Sequence, residues 1–294
     1  GGCKSWAALS KWMVNDARYL KEVCGDSTAF SAGGFSFTMS DYLDYAKNVA
    51  DDQPMYLFCK DFATNAPDLL RDIDPIPRVF ALDDYFALLG ELNRPDYRWL
   101  IIGPERSGST FHKDPNGTSA WNAVIHGKKK WVFFPPHISP PGIHPSEDES
   151  TVMGPVSIVE WFYNFFDQAR QSEYMLECVA GPGDVVFVPH GWWHAVLNLD
   201  LSVAITQNFV NQENLSAVLR FLRGKAGLIS GCSPPAAETL ADRFESVMRE
   251  KHPDIMRGHS SPSRKRSRGL WESLHEQEKD FSFSFGEQSP ANDN

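Results

Sequence analysis

The chain of 294 residues carries a net charge of −10, with 42% hydrophobic and 22% charged residues. These are the proportions of a globular protein, long enough for one large domain with appendages or for two ordinary ones. The acidic balance argues against direct nucleic-acid binding and suits basic peptides as partners. No apolar run approaches membrane-spanning length, so no membrane role is expected. Five scattered cysteines (Cys3, Cys24, Cys59, Cys178, Cys232), odd in number and without a C-x-x-C, argue against a disulfide framework and for a reducing compartment. The opening lacks the pattern of a secretory signal, so a protein that is not secreted is expected. Its start on Gly1 instead of Met reads as that of a piece of a longer chain.

The first fifty residues read as helical pieces around a glycine break. KSWAALSKWMVNDARYL has apolar residues at helical spacing, and TMSDYLDYAKNVADD opens with Ser40 as its N-cap. QPMYLFCKDF is a short strand, DPIPRVF a loop, and LDDYFALLG a short helix ended by Gly90. From Tyr97 the texture changes. YRWLIIG, TSAWNAVIHG, KKWVFFP, YMLECVA, GDVVFVP, WHAVLNL and SVAITQNFV are short β-branched or aromatic runs separated by turn residues. Such spacing, with a 13% aromatic share that includes nine Trp, predicts a sandwich or barrel, with a jelly roll the leading candidate.

PPHISPPGIHPSEDESTVMGP and the helical VSIVEWFYNFFDQAR form one long insertion between strands. Two helices follow Asn211. One places Leu215, Val218, Leu219 and Leu222 on a single face; the other does so with Leu240, Phe244, Val247 and Met248, with Pro235 in its first turn. Those faces either cover the barrel or form a homodimer. The Ser-rich remainder reads as disordered. Its cluster Arg264, Lys265, Arg266 and Arg268 has the character of a nuclear import signal, and equally of a solvated charge run. The expected organisation is a helix-and-strand region over 1–65, a catalytic jelly roll over 66–226, a helical element over 227–256 and a disordered tail over 257–294.

Chemistry concentrates in STFHKDPNGTSAWNAVIHGKKKWVFFP. His112 and Asp114, two positions apart, face the same way on an extended strand. Alone, His-x-Asp is a common accident. GPGDVVFVPHGWWHAVLNLD supplies a third group, a Gly-Asp turn and strand followed by a Gly-Trp-Trp corner and His194. Two histidines and a carboxylate on neighbouring strands make a facial triad that leaves one side of an octahedral ion open. His190 is a competitor, read as facing outward, and His126, His137 and His144 are read as surface residues. In the lysine run, strand alternation turns Lys129 and Trp131 to one face and Lys128 and Lys130 to the other. Trp192 and Trp193 are read as packing, and Asp200 and Glu105 as turn carboxylates. The stretch SEDES is read as a solvated loop that, beside a site, would attract Lys/Arg-rich segments.

These two motifs, with PDYRWLIIGPERSG before the first, SVAITQNF after the second and DDQPMYLF upstream, resemble the jumonji-C family of iron(II) and 2-oxoglutarate dioxygenases. Within it the likeness is to the branch of bifunctional arginine demethylases and lysyl-hydroxylases (phosphatidylserine-receptor-like), over about Ser40 to Phe221. The resemblance implies a mainly β double-stranded β-helix (cupin-like jelly roll) with flanking helices. His112, Asp114 and His194 correspond to the catalytic iron ligands, and Lys129 to the lysine that pairs with the distal carboxylate of 2-oxoglutarate. Asn122 and Thr206 match positions that hydrogen-bond this co-substrate, and Tyr56 and Asn208 match further pocket positions. Ser109 keeps a hydroxyl where the branch has threonine. O₂ is the second co-substrate.

The activity so implied is lysyl 5-hydroxylation of proteins, with arginine demethylation beside it, in the nucleus or the cytoplasm. Two alternatives stay open. One is hydroxylation of another substrate, such as a ribosomal protein or a tRNA base; the other is a non-catalytic cupin-like interaction module. The complete triad and lysine argue for catalysis.

Overall fold

The computed structural model describes residues 2–81 and 84–260, and residues up to Lys251 form one compact unit. Its N-terminal part holds helices α1 (Ala8–Lys11) and α2 (Arg18–Cys24), a hairpin of strands β1 (Phe30–Ala32) and β2 (Phe35–Phe37), and helix α3 (Met39–Asn48). Strand β3 (Leu57–Cys59) and the short helices α4 (Phe62–Asn65), α5 (Asp68–Asp72) and α6 (Arg78–Ala81) complete it. Two local expectations are corrected here. The glycine break is a hairpin turn, with Gly33 and Gly34 both at positive φ between two alternating Phe/Ser strands. The N-cap of α3 is Thr38, not Ser40: Thr38 has extended backbone angles and its hydroxyl accepts from Asp41 N.

Eight strands then wind back and forth between two sheets. They are β4 (Arg98–Gly103), β5 (Gly108–His112), β6 (Ser119–His126) and β7 (Lys129–Phe134); then, after the small hairpin β8 (His144–Pro145) and β9 (Val152–Met153), β10 (Leu176–Ala180), β11 (Val185–Val188), β12 (Trp193–Asn198) and β13 (Ser202–Phe209). One sheet has the order β11-β6-β13-β4-β3-β1-β2, the other β10-β7-β12-β5, and the neighbouring strands in both run antiparallel. Because the chain crosses between the sheets at every step but β7 to β10, residues far apart in sequence become neighbours. His194 on β12 pairs directly with His112 on β5. This is the jelly-roll double-stranded β-helix that the short-strand spacing predicts.

Both sheets are covered on their outer faces, so strands such as β6 are buried along nearly their whole length. The outer face of the large sheet presents Leu100, Ile102, Trp121, Ala123 and Ile205 to a core with Trp6, Trp12, Leu20, Met39 and Phe62 from the N-terminal part. The outer face of the small sheet is closed by helix α7 (Ile158–Ala169), whose Ile158 and Trp161 pack on Phe111, Phe134, Trp193 and Ala195. Ser157 caps α7 by accepting from Glu160 N, and Trp161 Nε1 donates to Pro141 O at 2.8 Å. The long insertion is thereby fastened to the barrel.

Helix α8 (Leu215–Gly224) buries Leu215, Val218 and Leu222, and α9 (Pro234–Lys251) buries Leu240, Phe244 and Met248. Phe244 meets Phe86 edge-on with ring centroids 4.7 Å apart, and Arg223 of α8 pairs with Glu245 of α9. Most of the apolar residues considered for a homodimer are therefore covered from within this chain, with Leu219 and Val247 half-buried. A separate unit begins at His252 and contains α10 (Pro253–Ser260). The basic cluster at 264–268 lies outside the described residues.

Candidate active site

Strand parity decides which side chains enter the barrel. On the large sheet the residues alternating with the outer core are Trp99 and Ile101, Ala120 and Asn122, and Thr206 and Asn208. On the small sheet Trp131, His194 and Val196 turn inward. With Tyr56, Phe58, Ser109, His112 and Asp114 they line a cavity of about 300 Å³. Ser109 and His112 stand three residues apart, which on a regular strand would put them on opposite faces. The pairing of β5 with β12 shifts between His194/His112 and Val196/Ser109, and this bulge brings both to one cavity.

His112, Asp114 and His194 offer ligand atoms that all lie within 4.8 Å of one another. The ring orientations fit a metal ion. His112 Nδ1 is 2.8 Å from Thr110 O and His194 Nδ1 is 3.1 Å from Trp192 O. A carbonyl only accepts, so both Nδ1 atoms carry the proton and both Nε2 lone pairs are left as donors to a cation. Asp114 lies next to them, with its Oδ1 4.0 Å from His194 Nε2 and its buried Oδ2 without a hydrogen-bond partner. Such an orphaned carboxylate oxygen costs free energy that a cation would recover. Burial raises the Asp114 carboxyl to about 6, against the opposing effects of His112 and of a hydrogen bond from Asn208. Burial, with His112 beside it, holds His194 well below its ordinary value, so the imidazole is neutral and free to ligate.

The other expected pocket residues fall into two groups. Asn122 and Thr206 pair across β6 and β13, and both line the cavity. Asn122 Oδ1 is buried without a partner, an acceptor held ready for a donor. The Thr206 hydroxyl donates to Trp121 O at 3.0 Å, so it must swing off that carbonyl before it can donate to a carboxylate. Asn208 donates to Thr118 Oγ1 at 2.8 Å and also hydrogen-bonds Asp114. Its geometry therefore serves the metal cluster.

Lys129 forms the second group with Tyr56. The lysine is 0% exposed, and its Nζ donates to Tyr56 OH at 2.9 Å and to Asn198 Oδ1 at 2.7 Å. Tyr56 lines the cavity and Lys129 stands behind it in this hydrogen-bond chain. Asn198 Nδ2 donates on to Ser107 Oγ at 2.8 Å, and Ser107 Oγ to Pro104 O at 2.6 Å. Every direction in the chain is set, and all of Lys129's partners are neutral. Gly103 makes room: a Cβ there would stand 2.4 Å from both Asn198 Nδ2 and Ser107 Oγ. Burial lowers the Lys129 ammonium to about 7, with Asp200 opposing weakly. Asn198 and Ser107 were not anticipated. A signal for Asn198 existed, because it follows His194 by four residues and so shares its face on β12.

Flanking lysines behave differently. Lys130 points outward to Glu177, and the Lys128 side chain is exposed while its backbone N–H donates to Asp200 Oδ1. His126, His137 and His144 are exposed. His190 stays out of the inner cavity and lines a second, outer cavity of about 410 Å³ that shares His112 and Asp114 with the first. Lys113, Glu149, Trp193, Phe221 and Lys225 line it too. The acidic loop is also not simply solvated. Hydrogen bonds from Ser150 and Ser146 hold the Asp148 carboxyl down at about 2, and Glu149 is paired with Lys113 and Lys225.

A family model described as a cupin-like domain matches residues 1–214. Among individual proteins, the chain is 46% identical over 256 residues to an arginine-specific demethylase, JMJ22, of Arabidopsis thaliana, covering 86% of this chain and 49% of that protein. It is 36% identical over 224 residues to the bifunctional arginine demethylase and lysyl-hydroxylase psr-1 of Caenorhabditis elegans (73% and 55%). Over 246 residues it is 28% identical to the 2-oxoglutarate and iron-dependent oxygenase JMJD4 of Mus musculus (75% and 56%). The chain thus spans about half the length of these relatives.

Proposed function

This chain belongs to the cupin-like domain family, and from that premise we propose that it is an iron(II)- and 2-oxoglutarate-dependent dioxygenase that hydroxylates basic protein side chains. The observation that carries the reading is the convergence of His112, Asp114 and His194 beside a cavity backed by the Tyr56–Lys129 pair. The three side chains would hold iron, which supplies the redox chemistry that couples O₂ and 2-oxoglutarate to substrate oxidation. This chain's own residues orient and exclude water. Thr110 O and Trp192 O fix the two imidazoles, and Asn208 steadies Asp114. Tyr56 OH accepts from Lys129, which leaves its own proton to donate to a carboxylate of the co-substrate, with the ammonium charge behind it. Asn122 and Thr206 flank the same space.

Lysyl 5-hydroxylation is the first activity of this proposal and arginine demethylation the second; the relatives named above include arginine demethylases and a lysyl-hydroxylase. The experiment is iron-dependent succinate formation with lysine-rich and methylarginine-containing peptides, followed by intact mass. A gain of one oxygen marks hydroxylation, and loss of a methyl carbon marks demethylation. Turnover that ignores iron, or succinate without any modified peptide, would sink the reading. A nuclear address belongs to the same proposal. Neutralising Arg264, Lys265, Arg266 and Arg268 should move a tagged protein toward the cytoplasm. Among the described residues no helix is long and apolar enough to cross a membrane.

A further inference from the structure

In the outer cavity, two lysines from different elements reach one carboxylate. Lys113 Nζ lies 2.6 Å from Glu149 Oε1, and Lys225 Nζ lies 3.4 Å from Glu149 Oε2. The lysines are not equivalent. Lys113 stands between His112 and Asp114 in sequence, donates to Pro136 O at 3.1 Å and sits 4.7 Å from the centre of the Trp193 ring. It is pinned. Lys225 follows the last residue of α8 with its side chain a third exposed, and its shorter bond, 2.8 Å, goes to the Asp148 carbonyl. Its hold on Glu149 is long and solvated, the kind of ion pair that contributes little.

Glu149 itself has φ of +59°, a left-handed conformation that glycine or asparagine adopts more readily. The neighbouring Asp148 carboxylate is turned back into its own loop by Ser146 and Ser150. Of the residues lining the outer cavity, Glu149 and Asp114 are the carboxylates, and Asp114 belongs to the metal cluster. A cationic side chain that approaches His112 and Asp114 through this cavity therefore has Glu149 as its counter-charge. With two lysines on one carboxylate the clasp already holds a surplus positive charge. A third cation can enter only if one lysine leaves, and Lys225 is the weaker held.

Resting on the hydroxylase reading above, we propose that Glu149 is a specificity-determining residue for a lysyl or arginyl substrate side chain, and that Lys225 is a built-in competitor which that side chain displaces. Displacement is one for one, so the charge of the groove is the same before and after binding. Lys113 stays in place throughout.

The test uses the full chain with Mn(II) in place of iron and 2-oxoglutarate present, so that no turnover intervenes. Its probes are fluorescent Gly/Ser peptides with a single central lysine, arginine or norleucine, read by anisotropy. The wild-type chain should favour lysine and arginine over norleucine. Glu149→Gln should weaken the lysine peptide about tenfold and erase that preference. Lys225→Ala should act in the opposite direction and tighten the lysine peptide about threefold. Glu147→Gln, in the same loop, should change nothing. A clasp that merely holds the loop in place would make Glu149→Gln and Lys225→Ala weaken binding alike. That result, an unchanged affinity in Lys225→Ala, or a preference that survives Glu149→Gln overturns the proposal. Co-substrate binding is measured in parallel. If the wild-type chain does not bind 2-oxoglutarate, the hydroxylase reading has failed; if all variants bind it and the peptide pattern is wrong, this inference alone has failed.

Discussion

The inner and outer cavities both border His112 and Asp114, yet they handle charge in opposite ways. Behind the inner one, Lys129 is fully buried and held by a phenol, an amide and a relayed hydroxyl, without a carboxylate among its hydrogen-bond partners. In the outer one, Lys113, Glu149 and Lys225 form full ion pairs that remain partly in water. Burial explains the difference. A buried ammonium left without a counter-ion is costly, and that cost becomes binding free energy when a dicarboxylate arrives. Exposed pairs are cheap to make and cheap to exchange, which suits a surface that must accept and release a peptide.

The sharpest way to break the comparison is to remove what the cavities share. His112→Ala, Asp114→Ala and His194→Ala should each abolish iron-dependent succinate formation while circular dichroism shows an intact fold. Near wild-type turnover in any one of them would end the assignment. Next in size is Lys129→Ala. Leaving a buried carboxylate without its counter-charge costs about 3–5 kcal/mol, or about two to three and a half decades in affinity. Titration with 2-oxoglutarate should show that loss with metal binding unchanged, whereas Lys128→Ala and Lys130→Ala should bind normally.

Acidity gives a third handle on the inner cavity. Lys129 releases its proton near pH 7 in the free protein, and a bound carboxylate would raise that value. Above about pH 7 binding must therefore take up a proton, and affinity for 2-oxoglutarate should fall by up to about tenfold per pH unit. Calorimetry in buffers of different ionisation enthalpy detects the uptake; affinity that stays flat from neutral pH upward would contradict it. Asn198→Asp should weaken the co-substrate by about tenfold, because it supplies Lys129 with a carboxylate of its own. Asn198→Ala, which only loosens the lysine, should do less. The smallest effect separates the cavities most directly. Raising salt to about 0.5 M should weaken a basic peptide a few-fold through screening of the exposed clasp, and leave 2-oxoglutarate affinity nearly unchanged.

Much of this was legible in the residues themselves. His-x-Asp at 112–114 and His194 after the Gly-Trp-Trp corner stand out by residue type, and the period of two that local sterics impose along any extended strand separates Lys129 from Lys128 and Lys130, while the family resemblance makes its face the inward one. The short β-branched runs carry the jelly roll for the same reason. Capping was less accessible, since both Thr38 and Ser40 can serve as N-cap, Ser being the better by type, and only the backbone angles choose Thr38.

What the tertiary structure alone decided are relations between strands and between loops. The bulge that brings Ser109 and His112 to one cavity depends on how β5 registers against β12. The Lys129–Asn198–Ser107 relay joins three separate segments in a space that Gly103 keeps open. Glu149 finds Lys225 across 76 positions of chain. No local preference encodes such meetings, because each is the outcome of closing a barrel and packing an insertion and a helix around its mouth. The chain by itself determined which side chains can do the chemistry; the fold decided which of them meet.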